Sequence, residues 1–263
     1  MRRRLDAELV RRGLVESRTS ARDVINAGRV LVEGAPATTP ARRVAAHEAI
    51  RMSGPARPFV SRGGEKLAAA LERFPIDVRE KRALDAGAST GGFTDCLLQR
   101  GAAHVVAVDV GRGQLAWRLR GDARVTVLDR TNVRELTAER LGGAVPLAVA
   151  DLAFISLVTA APALAACTTD EADLVLLVKP QFEAGRARVG KGGVVRDPAV
   201  HEAVLLEVTH GLERAGLFVL DVLASPIAGA DGNREFLAHC RHTGPSIPEQ
   251  VLRAVAHREV AHS

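Results

Sequence analysis

The sequence predicts an α/β protein: a large domain built on a doubly wound, mainly parallel sheet, preceded by a small α+β module. Three observations carry this reading. From Lys66 onward, short apolar runs of strand length alternate with helical stretches, the pattern of repeated βαβ units. Before that point, two short helical patterns are followed by short strand patterns. The chain has 263 residues, 47% of them hydrophobic and 25% charged, enough to bury a sizeable core in one medium domain plus a small module. Collagen, coiled coil and disorder fit this composition poorly.

The elements follow in order. Leu5, Leu9 and Val10 stand at helical spacing, and Gly13 takes the C-cap position. A second helix, capped by Ser17 or Thr19, places Ala21, Val24 and Ile25 on one face and stops at Gly28. Residues 29–33 read as a strand, 34–36 as a turn and 43–50 as a further strand region. The first domain is expected over residues 1–54 and the large one over 64–263. Between them, 55–63 form a linker in the proline- and glycine-containing stretch "SGPARPFVSRG".

In the large domain, residues 66–74, 91–100 and 114–120 read as helices. Residues 83–85, 104–109, 125–128, 147–151 and 174–179 read as strands or strand ends. Residues 218–223 and 235–240 are expected to close the sheet as an antiparallel pair.

Charge is unevenly placed. Residues 1–54 carry eleven arginines and six acidic groups, a surplus of five, which equals the net charge of the whole chain. A basic module beside a neutral domain points to a polyanion partner, because neutralising phosphates releases counterions. A solvated arginine-rich face is the plainer alternative. Lysine is scarce: Lys66, Lys81, Lys179 and Lys191 are the only four. Where positive charge alone suffices this chain uses arginine, so a retained lysine suggests a compact amine able to give up its proton.

Several classes are excluded. Cys96, Cys167 and Cys240 are too few and too scattered for a disulfide framework or a zinc site. The basic start Met1-Arg-Arg-Arg is followed by Leu5-Asp6-Ala7-Glu8 where a signal peptide needs an apolar stretch, and the longest uncharged run is too short to span a bilayer. The expected location is the cytoplasm, with no membrane partner and no metal.

Two regions carry chemistry. "LDAGASTGGFTD", residues 84–95, ends the first strand of the large domain with glycines at 87, 91 and 92, which allow a sharp turn and close approach of backbone to a ligand. Asp109 ends the next strand about 20 residues on, where a carboxylate commonly grips ribose hydroxyls. The spacing is not G-x-G-x-x-G, so a dehydrogenase is the weaker reading. An acid before the glycines is the pattern of S-adenosylmethionine sites, with Asp85 toward the methionine ammonium and Asp109 on the ribose. Asp129 and Asn132 would border the adenine, and Gly87, Ala88, Ser89, Gly91, Gly92 and Phe93 would form the cofactor-binding turn. The second region is Asp151 in "VPLAVADLAFISL" and Lys179 in "ADLVLLVKP", charges that interrupt or end apolar strands. They form either a structural ion pair or chemistry at the carboxyl edge of the sheet.

These residues also carry two resemblances. "RLDAELVRRGLVESRTSARDVINAGRVLVEG" resembles the S-four type RNA-binding domain, which implies Arg3, Arg4, Arg18, Arg22 and Arg29 as RNA-facing positions. With no aromatic there, phosphate and shape recognition of structured RNA is expected. "SRGGEKL", "LDAGASTGGFTD", "ADLAFISL", "LLVKPQFE" and "GNREFL", in this order behind that module, resemble the TlyA, or hemolysin A, family.

The second resemblance implies a Rossmann-like class I methyltransferase domain with a mostly parallel seven-stranded sheet. The activity implied is S-adenosylmethionine-dependent 2′-O-methylation of cytidine in ribosomal RNA within ribosomal subunits. Its Lys-Asp-Lys-Glu tetrad falls on Lys66, Asp151, Lys179 and Glu235. A positioned amine can take the proton of a poorly acidic hydroxyl, the role given to Lys179, with Asp151 orienting the lysines and Lys66 and Glu235 aligning the ribose. "GRARVGKGGVVRD", residues 185–197, reads as a lid or a plain connector. The reading from another class is a noncatalytic RNA-binding or assembly protein with a vestigial cofactor fold; the intact tetrad and glycine turn argue against it. A cytolysin is disfavoured by the lack of a membrane-inserting segment.

Overall fold

The computed structural model describes residues 2–15, 18–54, 58–229 and 232–258. The chain forms two compact units, Met1–Pro58 and Phe59–Ser263. Ser17 and the Thr19 side chain, the two expected caps, lie outside the described residues, as do residues 55–57 of the expected linker.

The first unit contains β1 (Arg2–Arg4), α1 (Leu5–Arg11), α2 (Arg18–Asn26), β2 (Val30–Val32), β3 (Ala35–Pro36), β4 (Arg43–Ala45) and β5 (Ile50–Met52). Leu5 and Leu9 of α1 and Ala21, Val24 and Ile25 of α2 pack on Val30, Val32 and Val44. β2 pairs antiparallel with both β3 and β5. The stretch expected as a turn over 34–36 is therefore a tighter hairpin. Glu33 and Gly34 both take positive φ (52° and 80°), as a two-residue turn matching strand twist requires, and Ala35 already pairs with Val32. β1 was not expected, because three consecutive arginines show no apolar alternation; it forms because β4 offers an antiparallel partner.

The second unit contains α3 (Gly63–Arg73), β6 (Arg82–Ala86), α4 (Gly92–Gln99), β7 (His104–Val108), α5 (Trp117–Arg120), β8 (Val125–Leu128), α6 (Ala138–Leu141), β9 (Val145–Ala150), α7 (Leu157–Ala166), β10 (Thr168–Val178), α8 (Pro180–Glu183), α9 (Pro198–Arg214), β11 (Phe218–Ala224), β12 (Phe236–Arg241) and α10 (Glu249–His257). Its seven strands lie in the order β11-β12-β10-β9-β6-β7-β8. The five on the β8 side run parallel, and β12 is antiparallel to both of its neighbours. The expected closing pair is thus present.

The period-2 alternation of the strands divides the core. Leu84, Ala86, Ala148, Ala150, Leu174 and Leu176 face α7 and α9, whereas Ala83, Leu147, Val149, Val175 and Leu177 face α3 and α4. Both faces of a parallel sheet are covered in this way. Because β6 sits between β9 and β7, the chain winds away from it in both directions, and a crevice opens at the carboxyl ends of these strands.

Three details differ from the sequence reading. Helix α5 is only Trp117–Arg120, because Leu115 and Ala116 are buried in non-helical chain, with Leu115 packed where a side chain on Gly91 would stand. β10 begins at Thr168 rather than 174; the polar run "TTDEAD" hid its first half, and a register shift separates Thr168 from Asp173. Asp173 is buried there, accepting from His239 (2.9 Å) and Arg241 (2.7 Å). The C-terminal region, without any motif, supplies α10, whose Leu252 and Ala256 are buried against the core.

Candidate active site

The turn after β6 is set by contacts only glycine allows. At Gly87 (φ +84°) an added Cβ would lie 2.4 Å from the Asp151 carbonyl oxygen, and at Gly91 (φ +97°) 2.4 Å from Leu119. Gly92 opens α4, where a Cβ would meet Ser61 and the Gly64 amide. Gly91, Gly92, Ala88 and Phe93 do not line the cavity beside this turn; Ala88 and Phe93 are buried in the core on the α3–α4 side. Gly87 and Ser89 line a cavity of about 460 Å³ at the carboxyl ends of β6, β7 and β9. Asp109 and Asn132 line it too, with Val110, Thr131, Asp151, Leu152 and Phe154.

Asp109 is pre-positioned by backbone: its carboxylate accepts from the Ser89 N–H (2.8 Å) and the Gly111 N–H (2.7 Å). Gln114 Nε2 also donates to Oδ1 (3.4 Å), so Oδ2 is the oxygen that keeps a free lone pair for a further donor. The Asn132 side chain accepts from the Arg134 N–H (3.1 Å) and so caps a turn at the cavity wall. Asp129 does not line the cavity. It accepts from Arg120 (3.0 Å) and the Gly113 N–H (3.2 Å), and the Arg120 hydrogen bond holds its carboxyl below the usual range.

Asp85 shares the parity of Ala83 and points into the α3–α4 face, fully buried. Thr94 donates to its Oδ2 (2.6 Å), while Oδ1 has no hydrogen-bond partner among the described residues. Burial pushes this carboxyl up to about 7, the Thr94 hydrogen bond opposes the rise, and the nearby Asp151 charge adds to it.

The remaining charges meet as two ion pairs. Lys179 Nζ pairs with Asp151, and Lys66 Nζ, from the first turn of α3, pairs with Glu235. Strand register accounts for this. Leu176 is level with Ala150 in the parallel pair, and Val178 with Phe236 in the antiparallel one, so Asp151, Lys179 and Glu235 leave three neighbouring strands at one edge. Lys66 and Glu235 are buried, at 8% and 2% exposure, so each compensates the other's buried charge.

Two aromatic residues beside this edge escaped the sequence reading. Phe154 is 91% exposed with φ +65°, an uncommon conformation for a bulky residue, and its ring lies 5.3 Å from that of Phe182. Lys179 Nζ stands 5.9 Å from the Phe182 centroid. The available signal was their rarity in a chain that is 3% aromatic. Glu183 was also missed: it accepts from the Ser156 hydroxyl (2.6 Å) and the Leu157 N–H (2.8 Å), tying α8, which follows Lys179, to the start of α7. The 185–197 segment is held at Arg188, which pairs with Glu207, and at Val195, whose N–H donates to Asn233.

In the first unit, Arg4, Arg18 and Arg22 converge on the buried Asp6, at 3.0, 3.0 and 3.8 Å. The Arg4 hydrogen bond leads in holding the Asp6 carboxyl down at about 2. Arg3 is exposed on β1, and Arg29 donates to the Ser53 carbonyl (3.2 Å). Among the described residues no group of side chains could hold a metal ion, and no helix is long and apolar enough to cross a membrane.

Strand order, the glycine turn at the switch point and the lysine–carboxylate pairs together define a Rossmann-like class I methyltransferase domain following an S-four type module. The FtsJ-like methyltransferase family matches residues 59–242 and the S4 domain residues 3–50. The chain belongs to the FtsJ-like methyltransferase family, in the TlyA group. It is 51% identical to the 16S/23S rRNA (cytidine-2′-O)-methyltransferase TlyA of Mycobacterium tuberculosis over 99% of this chain and 98% of that one. Hemolysin A of Brachyspira hyodysenteriae is 41% identical, with 90% and 98% covered. A solved Streptococcus thermophilus structure carrying the hemolysin name is 39% identical, with 97% and 94% covered and a TM-score of 0.79. The resemblance read from the motifs and the expected fold class are both borne out.

Proposed function

We propose that this chain transfers a methyl group from S-adenosylmethionine to the ribose 2′-hydroxyl of a cytidine in ribosomal RNA, acting on ribosomal subunits in the cytoplasm. The observation that carries this is the meeting of Lys66, Asp151, Lys179 and Glu235 at one sheet edge, with Asp151 also lining the cavity after β6. The cytidine and the RNA class come from the relative at 51% identity.

The residues present fit the cofactor. Asp109 offers a pre-set carboxylate acceptor for ribose hydroxyls and Asn132 stands at the cavity wall, while Asp85, which does not line the cavity, keeps an orphaned buried oxygen in the strand that leads into the glycine turn. When bound, the cofactor supplies an electrophilic methyl group on a sulfonium.

The chain's own residues then do four things. Asp151 anchors the Lys179 amine at the cavity rim, so that the amine meets the incoming hydroxyl in a fixed position. In its neutral amine form Lys179 accepts the hydroxyl proton as the oxygen attacks in line and becomes the ammonium that Asp151 balances. Lys66 and Glu235 align the acceptor ribose. In the first unit, the guanidiniums of Arg4, Arg18 and Arg22, clustered around Asp6, join Arg3 and Arg29 in holding RNA phosphates.

The test is labelled methyl transfer to separated ribosomal subunits, followed by mapping of the modified nucleotide. A substrate with a single 2′-deoxy substitution at that nucleotide is expected to bind and to accept no methyl group. Incorporation into the deoxy substrate at the same nucleotide would show a base acceptor and overturn the mechanism.

A further inference from the structure

Two segments leave neighbouring strands at the methyl-transfer edge. Residues 151–157 run from the end of β9 into α7, and residues 179–183 run from the end of β10 through α8. They are cross-linked at three levels. At the head, Lys179 Nζ pairs with Asp151. In the middle, the rings of Phe154 and Phe182 lie 5.3 Å apart. At the far end, the Glu183 carboxylate accepts from the Ser156 hydroxyl (2.6 Å) and from the Leu157 N–H (2.8 Å). Glu183 has no part in the chemistry described above.

Neither segment is held by its own packing alone. Helix α8 is a single turn, too short to be stable in isolation, and its buried anchors are small, Pro180 and the following Ala184. In the other segment Phe154 has positive φ, and because its ring is exposed, burial of the side chain does not hold the backbone there. Such a conformation persists only where its surroundings over-determine it. Upstream, the Asp151 N–H donates to the Ala86 carbonyl (3.0 Å). Downstream, Leu157 is buried, and Glu183 holds both its amide and the Ser156 hydroxyl.

Capping α7 does not account for Glu183. Ser156 already caps that helix, its hydroxyl oxygen accepting from the Val158 N–H (3.1 Å). Glu183 is partly buried with no basic side chain paired to it among the described residues; burial pushes its carboxyl up, and its two hydrogen bonds oppose the rise. A carboxylate kept there does what a cap on one helix does not. It joins the end of the segment that begins at Lys179 to the end of the segment that begins at Asp151. The ring between them bears on the amine as well, since Lys179 Nζ stands 5.9 Å from the Phe182 centroid and Phe182 immediately precedes Glu183.

We infer that Glu183 is a positioning residue for methyl transfer: by tying the end of α8 to the start of α7 it fixes the Asp151–Lys179 pair at the head of both segments, and with it the direction from which the Lys179 amine meets the acceptor hydroxyl. The inference rests on the proposed methyl transfer, and one arm of its test does not. The full chain is compared with Glu183→Ala, Glu183→Gln and Glu183→Asp. In Glu183→Ala, kcat on ribosomal subunits is expected to fall about tenfold, the size expected for losing one hydrogen bond to a charged group, with KM and cofactor affinity within about threefold. Glu183→Gln keeps the length and an acceptor oxygen, and its kcat is expected within about threefold of the wild type. Glu183→Asp keeps the charge but is one methylene too short to reach both donors, and is expected to stay low. If Glu183→Ala does not fold, the comparison of the other two variants decides the same question.

In the second arm, which needs no RNA, hydrogen exchange of the Leu157 amide is expected to quicken about tenfold in Glu183→Ala and Glu183→Asp, with the amides of β6 unchanged. An unchanged kcat in Glu183→Ala, with or without a loss of stability, would leave Glu183 a helix cap and overturn the inference, as would a loss confined to KM. Full activity in Glu183→Asp beside a low Glu183→Gln would show that charge and not reach matters, and would overturn it as well. Unchanged exchange at Leu157 would mean that the tie does not hold the segment, with the same consequence. Failure of the wild-type chain to methylate either subunit would defeat the proposed function, while the exchange arm would still decide whether Glu183 holds the two segments together.

Discussion

Asp85 offers a quantitative test of the site, because its carboxyl is pushed up to about 7 in the folded chain from an ordinary value of 3.8. The native state therefore keeps a proton that the unfolded state has already released. Stability falls as pH rises from 3.8 toward 7, at about 1.4 kcal/mol per pH unit, and the full loss of about 4 kcal/mol is present above pH 7. About 3 kcal/mol of it falls between pH 5 and pH 8.

The perturbation is Asp85→Asn, which keeps an oxygen to accept from Thr94 and removes the charge. Denaturant unfolding of both proteins at pH 5, 6, 7 and 8 isolates the effect, since other titrating groups cancel in the difference. The variant is expected to gain about 3 kcal/mol relative to the wild type across that range, and to bind S-adenosylmethionine more weakly at pH 8, where the wild-type carboxylate is charged. Parallel stability profiles for the two proteins would refute the reasoning, because they would mean that burial does not hold the proton on Asp85.

Two further outcomes follow from the geometry. Lys179→Arg keeps the charge beside Asp151 but cannot act as a base near neutral pH, so methyl transfer should fall by at least about a hundredfold while isothermal titration shows cofactor binding within severalfold. Gly87→Ala places a Cβ 2.4 Å from the Asp151 carbonyl oxygen at φ +84°; a stability loss of about 2–4 kcal/mol in denaturant unfolding and weakened cofactor binding are expected.

Much of the molecule was legible in the chain. The central strands of the second unit announce themselves because they contain apolar runs such as "VLLV", and hydrophobic periodicity is a local property. The glycine turn was legible for a related reason: positive φ at Gly87 and Gly91 needs that residue whatever surrounds it. Asp151 and Lys179 stood out because a charge at the end of an apolar strand has no local use. What the pattern could not supply is pairing. Lys66 meets Glu235 across 169 positions only because β12 turns back antiparallel beside β10, and a one-residue change of register would send Lys179 and Glu235 to opposite faces. The same holds for β1, which exists only against β4, and for Asp6, an ordinary helix-start acid in the chain that becomes the buried anchor of three arginines once α1 packs on α2. Composition and periodicity act within a few residues, so the sequence alone determined most of the elements, the turn and the identity of the charged groups. Sheet register and burial act between residues far apart in the chain, so only the tertiary structure decided which charges meet, which oxygen of Asp85 is left unpaired and which arginines are held in place.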